Sequence, residues 1–305
     1  MSRDAYLERT AAMLGEVFGG TRYSKEYLDW QYERSPEGRE VAVDIERDGR
    51  SLAHYCVIPQ TYGYDRLRRK FALSLNTAVT KEARGKGVFT QLAEDTYEKA
   101  RRDFGVSAIV GVANANSTPG FLGRLKFKHL GALPVHVGIV NALATGGTQS
   151  YSTCDSLREL PRDVWDSIDT ASPLHWSQVW TPELIRWRLD SPLGPYAVHV
   201  HKSGIAISTV ERRAIPIAIL LKMLPRKGVA RINSRALLRA ACRYHGTAVY
   251  LYAGFNERAT IRGMPLPQKL RPSPLNLIYR AFDDTVPAGD HVKLGTFEFL
   301  DFDAY

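Results

Sequence analysis

The stretch FALSLNTAVTKEARGKGVFTQLAEDTYEKARRDFGVSAIVGVA, residues 71–113, decides the fold of this chain. Phe71–Thr80 has the alternation of a strand, and Gly87–Phe104 carries apolar residues on one side and charged residues on the other, as an amphipathic helix does. Gly105 breaks that helix, and Val106–Ala113 has the apolar continuity of a strand that is buried on both faces. The order is therefore strand, loop, helix and buried strand.

The loop Arg84-Gly85-Lys86-Gly87-Val88-Phe89 joins the first predicted strand to the helix. Glycines let the backbone turn tightly, so that several N–H groups point at one spot at the positive end of the helix, where a diphosphate is stabilised. Arg84 and Lys86 add positive charge there. The four letters RGKG alone fit a glycine turn with solvated cations equally well, and the neighbouring strand and helix favour a phosphate loop.

The residues before this stretch predict a helix and a hairpin. Ser24–Tyr32 places apolar residues at helical spacing behind a capping serine. VAVDIERDGRSLAHYCVI, residues 41–58, gives two alternating runs joined across Asp48-Gly49, which is the pattern of a β-hairpin. After residue 113, a short helix over 118–127 and a strand over 134–142 are expected.

The second half of the chain repeats the landmarks of the first in the same order. Thr181–Val210 resembles residues 24–55, and the segment AVYLYAGFN (248–256) resembles AIVGVANAN (108–116). The matched landmarks are Trp187 with Trp30, Ser191-Pro192 with Ser35-Pro36, Gly228 with Gly87, and Gly246 with Gly105. This predicts two lobes of one architecture, with the second lobe shorter where the first has YGYDRLRRK (62–70).

These motifs resemble the GCN5-related N-acetyltransferase superfamily. In that family a [Q/R]-x-x-G-x-[G/A] loop after the fourth strand binds the pyrophosphate of acetyl-CoA, and the pantetheine lies where the fourth and fifth strands separate. Arg84 and Gly87 fit this pattern, whereas Phe89 replaces the usual small residue. The resemblance implies an α/β fold with a mixed, mostly antiparallel sheet flanked by helices, in two tandem lobes. The expected divisions are a cofactor-binding lobe over 1–145, a linker over 146–174 and a degenerate lobe over 175–305.

The resemblance also implies an acyl donor, acetyl-CoA or another acyl-CoA, and a set of residues that bind it. Main-chain groups near the end of the fourth strand would contact the acyl carbonyl, and the loop would contact the phosphates. These residues are Ala78, Val79, Arg84, Gly85, Lys86, Gly87, Val88, Phe89 and Asn116. In the second lobe Arg226 replaces Gly85, and its Cβ would obstruct a phosphate. Cofactor binding is therefore assigned to the first lobe.

The proton donor for the leaving thiolate is left open. The tyrosine that usually supplies this proton in the family is replaced by Leu122, so Ser117, a water molecule or unaided departure of the thiolate are the alternatives. For the general base, His54 and Asn76 are the candidates, because they are expected to border the acceptor cleft and histidine titrates near neutral pH. A lone histidine on a strand is more often a hydrogen-bonded cross-strand residue.

Three aromatic residues are candidates for an acceptor wall: Trp30, Tyr32 and Tyr55. Aromatic residues at helix and strand spacing are more often part of a core. No group of His, Cys or acidic residues has the spacing of a metal site, so no metal is expected.

The composition limits the other classes of protein. The chain has 305 residues and a formal net charge of +9, with its cations in short groups, which favours a phosphate-lined cleft over a nucleic-acid surface. No apolar run is long enough to cross a membrane, and the first residues lack the features of a secretory signal, so a cytoplasmic location is expected. Cys56, Cys154 and Cys242 are too few and too far apart for a disulfide framework.

The sequence therefore predicts an acyl-CoA-dependent N-acyltransferase, acting on the primary amine of a small molecule such as a nucleotide-linked amino sugar. Transfer to protein or peptide amines is the first alternative. A binding protein that kept the fold without catalysis is the second, since the usual tyrosine is missing. Neither nucleic acid nor membrane is an expected partner, and a homodimer is left open.

Overall fold

The computed structural model describes residues 2–85, 87–142, 147–152, 162–170, 174–271 and 273–302. The chain forms two compact units. The first unit contains 1–132, 191–193 and 274–292, and the second contains 133–190, 194–273 and 293–305.

Both halves of the described chain contain helices and strands. The helices are α1 (Arg3–Phe18), α2 (Lys25–Leu28), α3 (Val88–Phe104), α4 (Arg162–Asp166), α5 (Pro182–Leu189) and α6 (Ser234–Tyr244), with π-helical turns at Asp29–Glu33 and Gly120–Arg124 and 3-10 turns at Lys81–Ala83, Gln268–Leu270 and Phe299–Asp301. The strands are β1 (Val41–Arg47), β2 (Arg50–Tyr64), β3 (Leu67–Val79), β4 (Ala108–Ala113), β5 (Lys128–Ala132), β6 (Val135–Ile139), β7 (Gln149–Ser152), β8 (Ser177–Gln178), β9 (Ala197–His201), β10 (Gly204–Glu211), β11 (Ile217–Pro225), β12 (Val249–Asn256), β13 (Met264–Pro265), β14 (Asn276–Ala281) and β15 (Thr296–Glu298).

The sheet of the first unit has the strand order β1-β2-β3-β4-β14-β5. β1, β2 and β3 are antiparallel, β3 and β4 are parallel, and β14 is antiparallel to both β4 and β5. The predicted hairpin is confirmed: Asp48 (φ 51°) and Gly49 (φ 75°) both have positive φ angles, as a two-residue turn that matches the strand twist requires.

Helix α3 crosses between the parallel strands β3 and β4 and covers one face of the sheet. It ends at Gly105 (φ 64°), whose N–H caps the last turn. Leu92 and Tyr97 pack in one buried cluster with Val57, Ile109 and Ile278 of the strands. Burial of each such large apolar side chain stabilises the fold by about 1.5–3 kcal/mol, so this face fixes the helix and the loop that precedes it.

The second unit repeats this arrangement, which confirms the predicted duplication. Its sheet has the order β13-β6-β12-β11-β10-β9-β7, and β11 and β12 are parallel with α6 between them in the chain. Gly228 (φ 76°) and Gly246 (φ 66°) adopt nearly the same backbone conformation as Gly87 (φ 74°) and Gly105. As expected, β10 and β11 are shorter than β2 and β3.

The boundaries of the two units differ from the predicted divisions at 145 and 175. Strand β6, expected in the first lobe, pairs with β12 of the second unit, while β14 from the C-terminal half lies between β4 and β5 of the first. A strand that pairs with residues more than a hundred positions away leaves no local trace in the sequence, because alternation shows that a segment is a strand but not which sheet it joins. Within the predicted linker, residues 146, 153–161 and 171–173 lie outside the described residues, and the rest includes β7 and α4.

Candidate functional site

The site in the first unit begins where β3 and β4 stop pairing. Their parallel ladder ends at Ser74 and Gly111, although β3 continues to Val79. Just beyond this point Asn76 has a positive φ of 49°, and the register of β3 against β2 shifts by one residue. The end of β3 that faces β4 therefore offers an open edge of main-chain groups.

The glycine loop lies immediately after this edge. Gly85 (φ 83°) and Gly87 (φ 74°) both have left-handed backbones, and an added Cβ at either position would meet no atom within 4 Å. The requirement for glycine is therefore conformational, with open space beside the chain. Lys86, which was expected to contribute charge, lies outside the described residues.

The amino end of α3 carries unused hydrogen-bond donors. The N–H groups of Gly87, Val88 and Phe89 donate to none of the residues that the structure describes, while the N–H groups of Thr90 and Gln91 bond to the carbonyl of Gly87. Free amides at the start of a long helix, where the dipole is positive, are the usual site for a phosphate. The turn before the helix has the positive-φ glycines that the sequence predicted, and phosphate binding there stays a prediction.

The departure at Phe89 has a packing explanation. The Phe89 ring lies edge-on to Phe121 at 5.4 Å and near Tyr55 at 5.9 Å between ring centroids. A Cβ on Gly120 would approach the Phe89 ring to 3.1 Å, so a glycine on the neighbouring turn makes room for the larger side chain. The ring thus packs into the core side of α3.

Arg84, Ala78 and Val79 lie close together at the end of β3. The Arg84 side chain is exposed and its Nε donates to the Val79 carbonyl at 3.1 Å. Ala78 is buried and lies opposite His54 in the β2–β3 register. The side chain of Arg84 thus connects the open strand edge to the glycine loop.

His54 lies inside a buried polar network. Its Nδ1 donates to Asp44 at 2.7 Å, and the hydroxyl of Tyr32 bonds to its Nε2 at 3.0 Å. Asn76 donates to Tyr32 at 2.9 Å and to Gln31 at 2.6 Å. Burial raises the pKa of Tyr32 well above its ordinary value, which keeps the phenol protonated.

Both candidate bases, His54 and Asn76, belong to this network. His54 is fully buried, and both of its ring nitrogens are hydrogen-bonded. It therefore has the alternative role of a hydrogen-bonded cross-strand residue and does not border an open cleft, contrary to the expectation. Asn76 lies at the bulge itself and is held from two sides by its amide nitrogen. The arrangement fixes the unusual backbone of β3 at the point where the strands part.

The expected acceptor wall is part of the core instead. Trp30, Tyr32 and Tyr55 are each at most 1% exposed. The Tyr55 hydroxyl bonds to Ser74 at 2.8 Å and to Tyr97, and burial raises its pKa. Helical and alternating spacing placed these aromatic residues on the inner faces of their elements, and an inner face in a layered fold is packed against the sheet.

The loop after β4 is organised by Asn114. Its side-chain oxygen accepts hydrogen bonds from the N–H groups of Asn116 and Ser117, and it also accepts from the Ser117 hydroxyl at 3.1 Å. Asn276 of β14 donates to Thr118 at 2.9 Å. Asn276 is a polar residue of this site that the sequence analysis missed, because no local motif marks it.

The corresponding loop of the second unit uses its first amides within the protein. The N–H of Arg226 bonds to Ser203 and that of Lys227 to Ser167, at 3.3 and 2.7 Å. Helix α6 begins only at Ser234, and the Asn233 side chain accepts a hydrogen bond from its first turn. A phosphate that used the amides of Arg226 and Lys227 would have to displace these protein acceptors, which is a second reason, besides the Cβ of Arg226, to expect no phosphate site there.

The gap between the parallel strands is also filled in the second unit. The ladder of β11 and β12 ends at Leu220 and Tyr252, and β15 then pairs with the far end of β12. Glu298 and Asp301 from this C-terminal segment form ion pairs with the buried Lys222 at 3.2 and 2.6 Å. The protein's own chain therefore occupies the space that stays open in the first unit.

Solved structures share this architecture. N-myristoyltransferase from Saccharomyces cerevisiae with bound myristoyl-CoA has a TM-score of 0.56 at 12% identity, over 91% of this chain and 76% of that one. The chain has the GCN5-related N-acetyltransferase fold, in two lobes. A GCN5-related N-acetyltransferase from Anabaena variabilis (TM-score 0.58, 13% identity, 92% and 71% covered) and Eis1 from Mycobacterium abscessus (0.58, 12%, 92% and 72%) are similarly related. No family model and no curated protein matches the sequence.

Three further features concern the described residues: metal-binding groups, membrane-spanning helices and thiols. Among them, no group of three or more His, Cys, Asp or Glu side chains could hold a metal ion. None of the described helices has the length and apolar character needed to cross a membrane. Cys56 and Cys242 are buried free thiols, and burial raises the pKa of both, while Cys154 lies outside the described residues.

Proposed function

We propose that the first unit binds an acyl-CoA and transfers its acyl group to a primary amine. The observation that carries this proposal is the set of free amides at Gly87, Val88 and Phe89 next to the parted strands β3 and β4. The pyrophosphate of the acyl-CoA fits the free amides. Its extended pantetheine arm, which contains amide groups, fits the gap between the parted strands. A protein of the same fold holds myristoyl-CoA.

The residues of this unit have separate roles in the proposed reaction. The loop binds the pyrophosphate, with Arg84 and Lys86 adding charge, and the main chain near Ala78 and Val79 donates to the thioester oxygen as negative charge develops on it. The bulge at Asn76 orients these amides. In this scheme His54 is a positioning residue that acts through Tyr32 and Asn76.

The acceptor proposed is the amine of a small molecule, and a nucleotide-linked amino sugar remains the specific candidate. A neutral amine attacks the thioester carbon, the C–S bond breaks, and the amine nitrogen gives up a proton to water. The thiolate takes up a proton from water, or from Ser117, whose hydroxyl then regains one from water. The Ser117 hydroxyl already bonds to Asn114, which favours water as the donor. The alternative acceptor, a protein or peptide amine, uses the same donor site.

An acyl-transfer assay tests the proposal. Release of free thiol from acetyl-CoA is followed with amino sugars, polyamines, amino acids and lysine peptides as acceptors. We expect amine-dependent release that is lost in Gly85→Arg, a change that copies Arg226 into the first loop. Gly20→Arg is the control, since Gly20 has a similar φ of 79° and equally open surroundings. Equal activity of both variants, or binding of acetyl-CoA without transfer to any amine, would contradict the proposed reaction.

A further inference from the structure

The hairpin of β2 and β3 continues past β4 as a two-stranded arm. Strand β4 begins to pair with β3 only at Phe71, whereas β2 and β3 stay paired out to Tyr64 and Leu67. We call residues 62–69 the β2–β3 arm. It belongs to the stretch that makes this hairpin longer than the β10–β11 hairpin of the second unit, and the proposed acyl-CoA site does not use it.

The base of the arm is held by packing and by an ion pair. Tyr62 is fully buried, and its ring stacks on that of Phe71 with 4.5 Å between the centroids. On the other face of the hairpin, Lys70 forms an ion pair with Glu37 at 2.7 Å. The arm is therefore an ordered part of the fold, and the charge of Lys70 is compensated.

The tip of the arm combines exposed apolar and cationic side chains. Residues 64–68 are all exposed, with Tyr64 at 39% and Leu67 at 46%. These two residues are direct partners in the register, so their side chains lie on the same face. Arg66 follows Asp65 in the turn, and Arg68 Nη1 donates to the main-chain carbonyls of Asp65 and Leu67 at 3.0 and 2.8 Å. These hydrogen bonds keep the Arg68 guanidinium at the tip.

The arginines of the arm are not neutralised by the protein. Among the described residues, no carboxylate forms an ion pair with Arg66, Arg68 or Arg69, and Asp65 is the single acidic residue of the arm. Arg69 donates instead to the main-chain carbonyl of Arg68 at 2.9 Å. The tip therefore carries an excess of positive charge, which an anionic partner complements.

The size and chemistry of the tip favour a lipid surface over a macromolecular partner. A stable protein–protein interface uses about 20–30 residues a side, many more than a hairpin tip provides. The phosphates of a nucleic acid complement the arginines but not Leu67. An anionic bilayer complements both, because its headgroups attract arginine and its headgroup–acyl boundary accepts tyrosine and apolar side chains.

We propose that the tip of the β2–β3 arm binds the surface of a membrane that contains anionic lipids. Tyr64 and Leu67 enter the headgroup–acyl boundary, and Arg66 and Arg68 contact lipid phosphates. The sequence predicts no membrane partner because it has no spanning segment, and peripheral binding needs none. The proposal goes beyond acyl transfer and does not depend on it. Strand β3 runs from Leu67 to Val79 over roughly 40 Å, so docking leaves the glycine loop accessible.

Co-sedimentation of the full chain with lipid vesicles tests the proposal. The vesicles contain phosphatidylcholine alone or phosphatidylcholine with phosphatidylserine. We expect binding to the vesicles with phosphatidylserine, weaker at high salt, and little binding to those without it. A DNA duplex and polyglutamate, added as competitors, test the two other classes of anionic partner.

Two double variants test the tip itself. An arginine near an anionic lipid surface strengthens binding about fivefold, so Arg66→Ser with Arg68→Ser should bind at least tenfold more weakly. Tyr64→Ser with Leu67→Ser should also weaken binding, at least fivefold, without a change in charge. Because all four side chains are exposed, we expect the melting temperature of both variants to stay close to that of wild type.

The turn of the β10–β11 hairpin supplies matched controls in the second unit. Arg212→Ser with Arg213→Ser removes the same charge from exposed positions, and Ile215→Ser removes an apolar side chain that is 65% exposed. We expect these variants to bind at least threefold more tightly than the corresponding variants of the arm.

Four results would overturn the proposal. They are no binding of wild type to the vesicles with phosphatidylserine, equal binding to both kinds of vesicle, an equal effect of the arm and control variants, and tighter binding to DNA or polyglutamate than to vesicles. The third would show attraction by overall charge, and the fourth would assign the arm to that polymer.

Discussion

At the scale of single residues, Glu298 makes the stability of the second unit depend on pH. Burial, opposed in part by Lys222, raises the pKa of Glu298 to about 7. A carboxyl group with a raised pKa in the folded state holds its proton more tightly when folded. Its contribution to stability is complete below its ordinary pKa of 4.5 and is lost as the pH rises through about 7. The full effect is at most about 3 kcal/mol.

Glu298→Gln should remove this dependence, because glutamine does not titrate. Two histidines act in the opposite direction: burial lowers the pKa of His199 to about 3 and that of His245 to about 4, so they destabilise the fold as the pH falls below 6.5. The histidines affect wild type and variant alike, so the quantity to follow from pH 5 to 8 is the unfolding free energy of the variant minus that of wild type. Glu183→Gln, at an exposed residue, is the control. A difference that stays constant with pH would contradict the assignment.

Tyr32 connects His54 to the bulge of β3. Tyr32→Phe leaves His54 Nε2 and one donor interaction of Asn76 unsatisfied in the core, so we expect a loss of about 1–3 kcal/mol in unfolding free energy. The exposed Tyr64→Phe should change it by less than about 0.5 kcal/mol. Urea unfolding measures both, and an equal effect of the two changes would show that the network does not stabilise the fold.

His54 itself distinguishes positioning from base catalysis. If His54 only positions Tyr32 and Asn76, we expect His54→Gln to lower kcat at all pH values and to keep the shape of the pH profile of kcat. If His54 were the general base, its replacement would remove the acidic limb of that profile. A lost acidic limb in the variant would restore the role that the sequence suggested for this histidine.

Residue types predicted the loop better than they predicted the chemistry. Gly85 and Gly87 were identified because a positive φ selects glycine, which is a local requirement visible in the sequence. The partner of His54, in contrast, is Asp44, set by the cross-strand register of β1 and β2. His54 and Asp44 are ten positions apart in the sequence, and the register shifts in both the β1–β2 and the β2–β3 pairs. Such a pairing is therefore hard to predict without the structure.

At the scale of elements, β14 completes the first sheet from the far end of the chain. Ile278 is buried in the core against α3 and lies between β4 and β5. Ile278→Ala should cost about 2–5 kcal/mol and increase amide hydrogen exchange in β4. Ile139→Ala, at a residue that is 79% exposed, is the control. Unchanged exchange in β4 would show that the first sheet does not depend on β14.

The elements that were predicted less well are short or long-range. The helix predicted over 24–32 exists as α2 followed by a π-helical turn at Asp29–Glu33, and the helix over 118–127 contains another at Gly120–Arg124. Apolar spacing over two turns is compatible with either helical form, so the sequence gives the position but not the type. Strand β14 was missed because its pairing depends on contacts with distant strands.

At the scale of the whole molecule, a duplicated fold has two different fates. Both units keep a pair of parallel strands and a helix that connects them in the chain. A glycine with positive φ follows the helix in each unit. In the first, the amides of Gly87, Val88 and Phe89 donate to no described residue. In the second, the amides of Arg226, Lys227 and Val229 donate to protein carbonyls, and β15 pairs with the far end of β12. The account therefore predicts one acyl-CoA site per chain.

Calorimetric titration of the full chain with acetyl-CoA tests this claim most directly. We expect one site per chain, at least tenfold weaker in Gly87→Val and unchanged in Gly228→Val, since the two glycines share a φ near 75° and only the first directly precedes a helix. No binding to wild type, two sites per chain, or equal affinity of the two variants would contradict the account.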